Sequence, residues 1–320
     1  MKLNRTQQAI LALIIANVIW GIGTPIFKWT LRDIPPFTFA FLRYFFSCLI
    51  ILPFAVHRLK IKKPDILPII ILSVVGTAFR IVYNFYGLKF VPSINDLILS
   101  STAPVFIIIG AMILFHEKPQ KRIINGTLIG LTGIIFIVIR PIIQNGVDFS
   151  FVGNIFLLIS MGLNVLYVLL LKALAEKYHP CAILFWSFFI AAVTLSPFTG
   201  YEIMKQNISG INQLQGMIGL SFTVLFPTIT AYLLYIYGIK QIRVSEVGLF
   251  SYVDPFVGCA VAAPLLGEQI SLTFFIGACM IFLGIFIAEG RIHYHPFHLL
   301  KSSNANEQAY AVNVQDSTKV

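Results

Sequence analysis

Residues 11–28 read LALIIANVIWGIGTPIFK, and Lys28 is the only charged residue in this run. The apolar stretch begins near residue 8, with Lys2 and Arg5 ahead of it. A bilayer core about 30 Å thick needs about 20 apolar residues in a helix that rises about 1.5 Å per residue. A cleaved signal peptide has a shorter apolar region, so we predict an uncleaved first transmembrane helix.

The rest of the chain has the same apolar character. Of its 320 residues, 58% are hydrophobic and 11% are charged, and the mean hydropathy is +0.86. A water-soluble domain of this size could not expose such a composition, so lipid must surround most of the chain. We therefore predict an all-α integral membrane protein with ten transmembrane helices. The predicted spans lie near residues 8–28, 36–57, 67–88, 94–115, 123–140, 151–171, 180–200, 215–238, 244–266 and 270–289.

Charge and cysteine content argue against several other classes of protein. The four cysteines lie in or beside predicted spans with no paired spacing, which predicts neither a disulfide framework nor a metal site. The net charge of +10 is scattered among helix ends, whereas a nucleic-acid-binding protein gathers basic residues on one face. Residues 291–320 are polar and aperiodic, which predicts a solvated, disordered tail.

The distribution of basic residues predicts the orientation of the chain in the membrane. With a cytoplasmic N-terminus, 16 of the 23 Lys and Arg residues fall on the inner side and five on the outer side. The remaining two, Arg43 and Arg80, fall inside spans. This asymmetry follows the positive-inside rule and requires an even number of spans. Both termini are therefore predicted to be cytoplasmic.

The sequence contains an internal repeat. A shift of 151 aligns 86–139 with 237–290 without a gap, and a shift of 144 aligns the first two spans of each half. We therefore predict two halves, 1–147 and 148–290, with five spans each. Because five is odd, the halves must have opposite orientations, which is the inverted-repeat architecture of many secondary transporters. Matched residues include Lys28/Lys172, Tyr86/Tyr237, Pro104/Pro255, Glu117/Glu268, Gly126/Gly277 and Gly133/Gly284.

From about Ile10 to Glu289 the chain resembles the EamA-like ten-helix members of the drug/metabolite transporter superfamily. The likeness rests on spacing and duplication of short motifs: Trp20-Gly21 with Lys28, Arg43, Tyr86-Gly87-Leu88-Lys89, Pro104 with Glu117, Asp254-Pro255, Gly267-Glu268, Gly277 and Gly284. His116-Glu117 departs from the Gly-Glu that is usual in the family. The resemblance implies a carrier in a cell membrane, such as a bacterial inner membrane, that works by proton coupling or exchange without a bound cofactor.

Polar residues in hydrocarbon are costly and tend to face the interior of a helix bundle, so polar stripes indicate a central cavity. Small polar residues on such stripes also serve helix packing, which is the alternative for Ser160, Thr228 and Ser251. The candidate substrate-binding residues are Trp20, Arg43, Arg80, Tyr83, Asn84, Asn164, Tyr167, Tyr232 and Asp254.

Three charged residues stand out because they lie too deep to reach the membrane surface easily: Arg43, Arg80 and Asp254. We expect Arg80 to receive a carboxylate or other anionic group of the substrate, and Asp254 an amine or a coupling proton. Arg43 also fits an outer gate or a helix tie. The alternative for Arg80 is a permanent structural pair with Asp254 or Asp96. The expected substrate is an amino acid or a similar zwitterionic or amphiphilic metabolite.

The matched residues of the repeat have simpler interpretations. The seven-residue spacing of Gly126, Gly133, Gly277 and Gly284 predicts close helix packing. Glu117 and Glu268 lie at span ends and are predicted to tie helix termini or loops. Pro104 and Pro255 are predicted to kink or interrupt their helices.

A secondary transporter, either a permease or an exporter, is the favoured function, and two alternatives stay open. A membrane-embedded enzyme is one, although all six histidines fall in predicted cytoplasmic loops or the tail and no intramembrane catalytic motif occurs. A passive channel or scaffold is the other. The sequence indicates no catalytic residue and no cofactor, and it leaves open whether the protein is a monomer or a homodimer.

Overall fold

The computed structural model describes residues 5–103, 105–107, 149–205, 213–241, 253–268 and 272–289, together with residues 250 and 251 and scattered positions between 109 and 136. Its regular elements over these ranges are helices, and none of the described residues forms a β-strand. The predicted tail, Pro104 and the His116-Glu117 pair lie outside the described residues.

Besides the short 3-10 helix Val56–Arg58 and the helical positions described between 121 and 136, the described chain contains nine helices. Helix α1 is Arg5–Thr30, α2 is Pro36–Ala55 and α3 is Lys63–Phe90. Helix α4 begins at Ser93 and is regular to Ser100. The second half of the chain contributes α5 (Phe149–Ala175), α6 (Pro180–Lys205), α7 (Leu214–Gln241), α8 (Val253–Leu266) and α9 (Leu272–Glu289).

Six of these helices, α1, α2, α3, α5, α6 and α7, are long and apolar enough to cross a membrane. This confirms the prediction of a multi-pass helical membrane protein. The predicted fourth, ninth and tenth spans correspond to the shorter helices α4, α8 and α9. Of the predicted fifth span, 123–140, the structure describes ten positions between 125 and 136, and all ten are helical. The count of ten stays a prediction.

Two of the long helices contain a π-helical turn near the middle. In α3 the turn is Val74–Phe79, and in α7 it is Val224–Thr230. Thr77 and Thr228 occupy these turns, and each hydroxyl donates to the carbonyl five residues earlier, at 3.0 and 2.7 Å respectively. The two threonines are 151 residues apart, which is the shift of the sequence repeat.

The most extensive helix contacts join the two sequence halves. Helix α2 packs along α6, α1 packs along α8 and α7, and α3 packs along α5. The halves therefore interlock within a single bundle.

Glycines allow the closest of these approaches. A β-carbon added at Gly21 of α1 would lie 2.8 Å from the Asp254 backbone oxygen, so α1 and α8 meet backbone to backbone. At Gly133 the same addition would lie 2.6 Å from the Gly277 oxygen, and at Gly284 it would lie 2.5 Å from the Gly126 oxygen. These clashes confirm the predicted packing role of the seven-residue glycine spacing.

At one end of the bundle, here called the Glu268 end, buried carboxylates cap the starts of helices. Glu268 follows Gly267, whose φ of +68° ends α8 with a turn that favours glycine. Its carboxylate accepts hydrogen bonds from Ser93 N at 2.7 Å, Ser93 Oγ at 2.8 Å and Ile94 N at 3.1 Å, which caps α4. Lys28 pairs with the same carboxylate at 3.5 Å and donates to the Val91 oxygen. The predicted role of Glu268 as a helix-terminus tie is confirmed.

A second carboxylate caps another helix at this end. Glu202, near the end of α6, accepts from Thr38 N at 2.7 Å and from Thr38 Oγ1 at 2.9 Å at the start of α2. Each carboxylate thus comes from the second sequence half and satisfies free amide groups of a helix in the first half.

The opposite end, here called the Asp65 end, has more exposed ties. Asp65, in the first turn of α3, accepts from Lys177 Nζ and from the Tyr178 hydroxyl, both at 2.7 Å. Lys240 donates to the Tyr178 oxygen at 2.9 Å, and Lys172 donates to the Ile239 oxygen at 2.8 Å. Because α3 runs from Asp65 to Phe90, its length of about 40 Å separates the two ends.

Pro255 is the third residue of α8. A proline in the first helical turn removes no hydrogen bond from the helix interior. It therefore marks the start of the described helix and does not kink its middle.

Candidate functional site

A cavity of about 160 Å³ lies inside the bundle, between helices of the two sequence halves. Helices α1 to α4 contribute part of its wall, and α5, α7 and α8 contribute the rest. Polar and charged side chains that line it are Asn17, Thr24, Arg43, Arg80, Asn84, Asp96, Ser100, Ser160, Asn164, Ser251 and Asp254. This concentration of polar groups within an apolar bundle makes the cavity the candidate functional site.

Arg43 is the largest fully buried side chain of the described protein, with 2% of its surface exposed. Its Nε donates to the Thr228 hydroxyl at 2.6 Å, across the interface between α2 and the π turn of α7. The guanidinium carbon lies 4.9 Å from the ring centre of Phe27 and 5.6 Å from that of Tyr44. Its buried Nη1 has no hydrogen-bond partner among the described residues.

Arg80 follows directly on the π turn of α3 and is held by the protein on two sides. Its Nε donates to the Gly76 oxygen at 2.9 Å, and its Nη2 donates to the Tyr232 hydroxyl at 2.5 Å. The ring of Tyr167 lies 5.6 Å from the guanidinium carbon. Ser160 donates to the Arg80 backbone oxygen at 3.0 Å, so this serine ties α5 to α3 as well as lining the cavity.

Two carboxylates face the same cavity. Asp96, in the first turn of α4, accepts from Asn84 Nδ2 at 2.9 Å. Asp254, in the first turn of α8, has a buried Oδ1 without a hydrogen-bond partner among the described residues. Neither forms an ion pair with Arg80, since the ion pairs of the described residues are Lys28–Glu268, Lys172–Glu176 and Lys177–Asp65. The alternative of a permanent Arg80 pair is therefore not what the structure contains.

Aromatic side chains form one wall of the cavity. Trp20 packs edge-on against Tyr232, with ring centres 5.3 Å apart, and lies 5.1 Å from Tyr235. Tyr167 packs edge-on against Tyr232 at 5.9 Å. The Trp20 indole also donates to the Pro227 oxygen at 2.9 Å, in the π turn of α7. These contacts fix the rings and leave an amphipathic surface toward the cavity.

Of the candidate residues from the sequence, eight lie around this cavity and one does not. Tyr83 lies outside the lining, with its ring 5.8 Å from that of Phe156. Sequence reasoning treated Asp96 only as a partner for Arg80 and treated Thr228 mainly as a packing residue. The repeat offered a signal for Thr228, because the shift of 151 pairs it with Thr77. The eight candidate residues that line the cavity are Trp20, Arg43, Arg80, Asn84, Asn164, Tyr167, Tyr232 and Asp254.

Metal ligands are not grouped in the part of the chain that the structure describes. No cluster of three or more His, Cys, Asp or Glu side chains there could hold an ion.

Comparison with known proteins gives the family. The profile of the EamA-like transporter family matches residues 7–139 and again residues 151–289. The chain belongs to the EamA-like transporter family. Membership, together with the long apolar helices, makes it a multi-pass transmembrane transporter. Its place in this family indicates a transporter and not an enzyme.

Curated relatives of this EamA-like chain have the same general description. The "Uncharacterized transporter YetK" of Bacillus subtilis is 24% identical over 89% of this chain and 87% of its own length. The "Uncharacterized transporter YoaV" of the same organism is 27% identical over 88% and 96%. An "Uncharacterized transporter" of Archaeoglobus fulgidus is 24% identical over 87% and 97%.

A solved crystal structure shares the fold of this EamA-like protein. It aligns with a TM-score of 0.62 over 88% of this chain and 96% of its own, at 17% sequence identity. At that identity the likeness concerns the fold alone.

Proposed function

We propose that this EamA-like protein is a secondary transporter that moves a small zwitterionic or amphiphilic metabolite, above all an amino acid, by alternating access. The observation that carries the proposal is the cavity between the two sequence halves, where Arg43 and Arg80 face the same space as Asp96 and Asp254. Charges of both signs in a water-poor cavity favour a ligand that itself carries both signs.

The size of the cavity supports a small substrate. Its volume of about 160 Å³ is similar to that of cavities that hold a benzene-sized ligand. Trp20, Tyr167 and Tyr232 offer apolar contact to the uncharged part of such a molecule. The polar groups then orient it and the rings contribute burial.

The repeat supports alternating access. Each sequence half matches the family profile, and each contributes one long helix with a π turn at the equivalent position. We propose that the halves have opposite orientations, with ten spans in all and both termini in the cytoplasm of a bacterial cell. Rocking of the two halves would then expose the same cavity to each side in turn.

A transport assay tests this function. Purified protein in proteoliposomes should take up a mixture of ¹⁴C-labelled standard amino acids faster than protein-free liposomes, with saturation and counterflow. Asp254→Asn should slow uptake, and an imposed pH gradient tests coupling to protons. A flux that never saturates would indicate a channel, and no flux of any labelled amino acid would overturn the proposed substrate class.

A second experiment tests the rocking movement. Pro255 lies at the start of α8, beside the cavity residue Asp254, and Pro255→Ala would add a backbone N–H at that helix start. We expect this variant to slow turnover more than it weakens binding. A collapse of affinity at an unchanged maximal rate would contradict the proposed movement.

A further inference from the structure

We propose that Arg43 receives the carboxylate of the substrate and that Thr228 is its positioning residue, whereas Nε and Nη2 of Arg80 already bond to the protein. The inference rests on the proposed transport function and identifies the anion-binding residue within that cavity. It also revises the expectation from the sequence, which gave the carboxylate to Arg80.

Thr228 fixes the orientation of Arg43. A threonine hydroxyl has one proton to donate, and Thr228 donates it to the Thr223 oxygen at 2.7 Å. The hydroxyl oxygen can therefore only accept in its contact with Arg43 Nε at 2.6 Å. This one-way bond holds the guanidinium by its Nε and leaves the terminal nitrogens to other partners.

The Nη1 donor of Arg43 lacks an acceptor among the described residues. Nη1 is buried and has no hydrogen-bond partner among the described residues, on a side chain that is 2% exposed. The rings of Phe27 and Tyr44 attract the positive charge through their faces, but a ring face does not replace an oxygen acceptor in the guanidinium plane. A buried charged donor without an acceptor is unfavourable, so an anion entering the cavity would bind there.

Arg80 presents the opposite case. The Gly76 oxygen and the Tyr232 hydroxyl already take its Nε and Nη2. An incoming carboxylate that forms two parallel bonds to the edge made by Nε and Nη2 would have to displace the Gly76 oxygen and Tyr232. Arg80 is therefore better suited to holding the aromatic wall than to binding the substrate.

The acidic residues divide in the same way. Asn84 already donates to Asp96, whereas Oδ1 of Asp254 has no partner among the described residues. Among the described charged residues of the cavity, Arg43 and Asp254 are thus the two that keep a fully buried atom without a hydrogen-bond partner. A carboxylate on Arg43 and an ammonium on Asp254 would satisfy both, which is the charge pattern of a small amino acid.

Matched arginine variants test the assignment. Proteoliposomes would receive the ¹⁴C-labelled amino acid mixture and, in parallel, a labelled mixture of the corresponding decarboxylated amines. The wild type should take up the acids in preference to the amines. For the amino acid taken up fastest, Arg43→Lys should raise the KM by roughly 10- to 100-fold, because it loses a charge-assisted bond. Arg80→Lys should raise the KM by a smaller factor than Arg43→Lys does, because two of the nitrogens it changes already bond to the protein.

Matched threonine variants test the positioning role without removing either arginine. Thr228→Val should raise the KM by roughly fivefold with little change in kcat, and Thr228→Ser should restore it. Thr77→Val is the control, because Thr77 makes the same bond to its own helix but its hydroxyl holds no arginine. It should leave the KM within about twofold of the wild type. Melting temperatures in detergent would confirm that each variant is folded.

The outcomes separate the two proposals. If Arg80→Lys raises the KM and Arg43→Lys does not, the assignment to Arg43 is wrong while the transport function stands. Equal uptake of acids and amines would show that the cavity has no receptor for the carboxylate, while the transport function would stand. If Arg43→Lys does not fold, an unchanged KM in Thr228→Val would still overturn the positioning role. If neither mixture moves, the proposed substrate class fails, and the assignment fails with it.

Discussion

The two ends of the bundle are tied by similar chemistry in different surroundings. At the Glu268 end, the side chain of Glu268 is 8% exposed and that of its partner Lys28 is 22% exposed. At the Asp65 end, the side chain of Asp65 is 10% exposed but that of its partner Lys177 is 57% exposed, and Glu176, the partner of Lys172, is 61% exposed. Ion pairs in water are screened and contribute little to stability, whereas removal of a buried carboxylate that caps a helix lowers the free energy of unfolding substantially. The difference predicts that the Asp65 end opens more readily than the Glu268 end.

The strongest test of this comparison asks which end faces which side of the membrane. Ser150→Cys, at the start of α5, and Asn212→Cys, just before α7, should react in intact cells with an impermeant thiol reagent. Pro64→Cys, at the start of α3 beside Asp65, should not react. The reactivity of the native cysteines, measured in the unsubstituted protein, is the baseline. Labelling of Pro64→Cys from outside would show that the chain has the opposite orientation to the predicted one.

Removing the central carboxylate of the Glu268 end should have the largest effect on stability. Glu268→Ala leaves Ser93 N, Ser93 Oγ and Ile94 N without their acceptor and Lys28 without its ion partner, and we expect a loss of about 3 kcal/mol. The apparent melting temperature in detergent should fall by roughly 5 to 10 °C.

Glu176→Ala is the matched control at the Asp65 end, where an exposed pair between Lys172 in the last turn of α5 and Glu176 just beyond it is lost. It should cost about 0.5 kcal/mol or less. Equal losses in the two variants would show that burial does not distinguish the two ends.

Glu202 provides a smaller change at the Glu268 end. Glu202→Gln keeps an oxygen acceptor for Thr38 N and its hydroxyl but removes the negative charge at the start of α2. The expected loss is about 1 kcal/mol, since a charge near a helix N-terminus contributes on that order. An unchanged melting temperature would mean that the charge makes no contribution there.

The smallest effect concerns pH at the Asp65 end. The hydrogen bond to Asp65 and the attraction of its charge raise the pKa of Lys177 above its ordinary value. Because the pKa is raised, the ion pair between Lys177 and Asp65 contributes its full stabilisation below the pKa of a free lysine, about 10.4. That stabilisation is lost as the pH rises through the higher pKa of Lys177 in the folded protein. The stability advantage of the wild type over Lys177→Met should therefore shrink as the pH rises above the pKa of a free lysine, about 10.4. An advantage that grows with pH would contradict this sign.

Much of the fold could be predicted because apolar length and repeat spacing are properties of the sequence itself. The six long helices follow from this, as do the close approaches at Gly133 and Gly284. The π turns could not be predicted in the same way, because a local change of helical register depends on contacts with other helices. The contact between Trp20 and the Pro227 oxygen is one of these contacts.

The candidate site was predictable as a set of side chains but not as a set of bonds. A polar stripe shows which face of a helix turns inward, and the residues that it placed inside, Arg80 and Asp254, both line the cavity. Arg43, which was singled out by its depth in the membrane, lines it as well. A polar stripe does not show which side chain on another helix lies opposite. For that reason the bond from Arg43 to Thr228 was missed, and Tyr83 was included although it lies outside the lining.

The interlocking of the halves has a consequence for how the protein is made. Helices α1 and α2 find their main partners in α6, α7 and α8, which follow more than a hundred residues later in the chain. At roughly 5 to 20 residues per second, a ribosome needs on the order of ten seconds or more to supply them. During that interval Gly21 and the buried Arg43 must be sheltered by lipid, water or an insertion factor. The nascent first half is therefore the stage at which this transporter is most exposed to quality-control proteases.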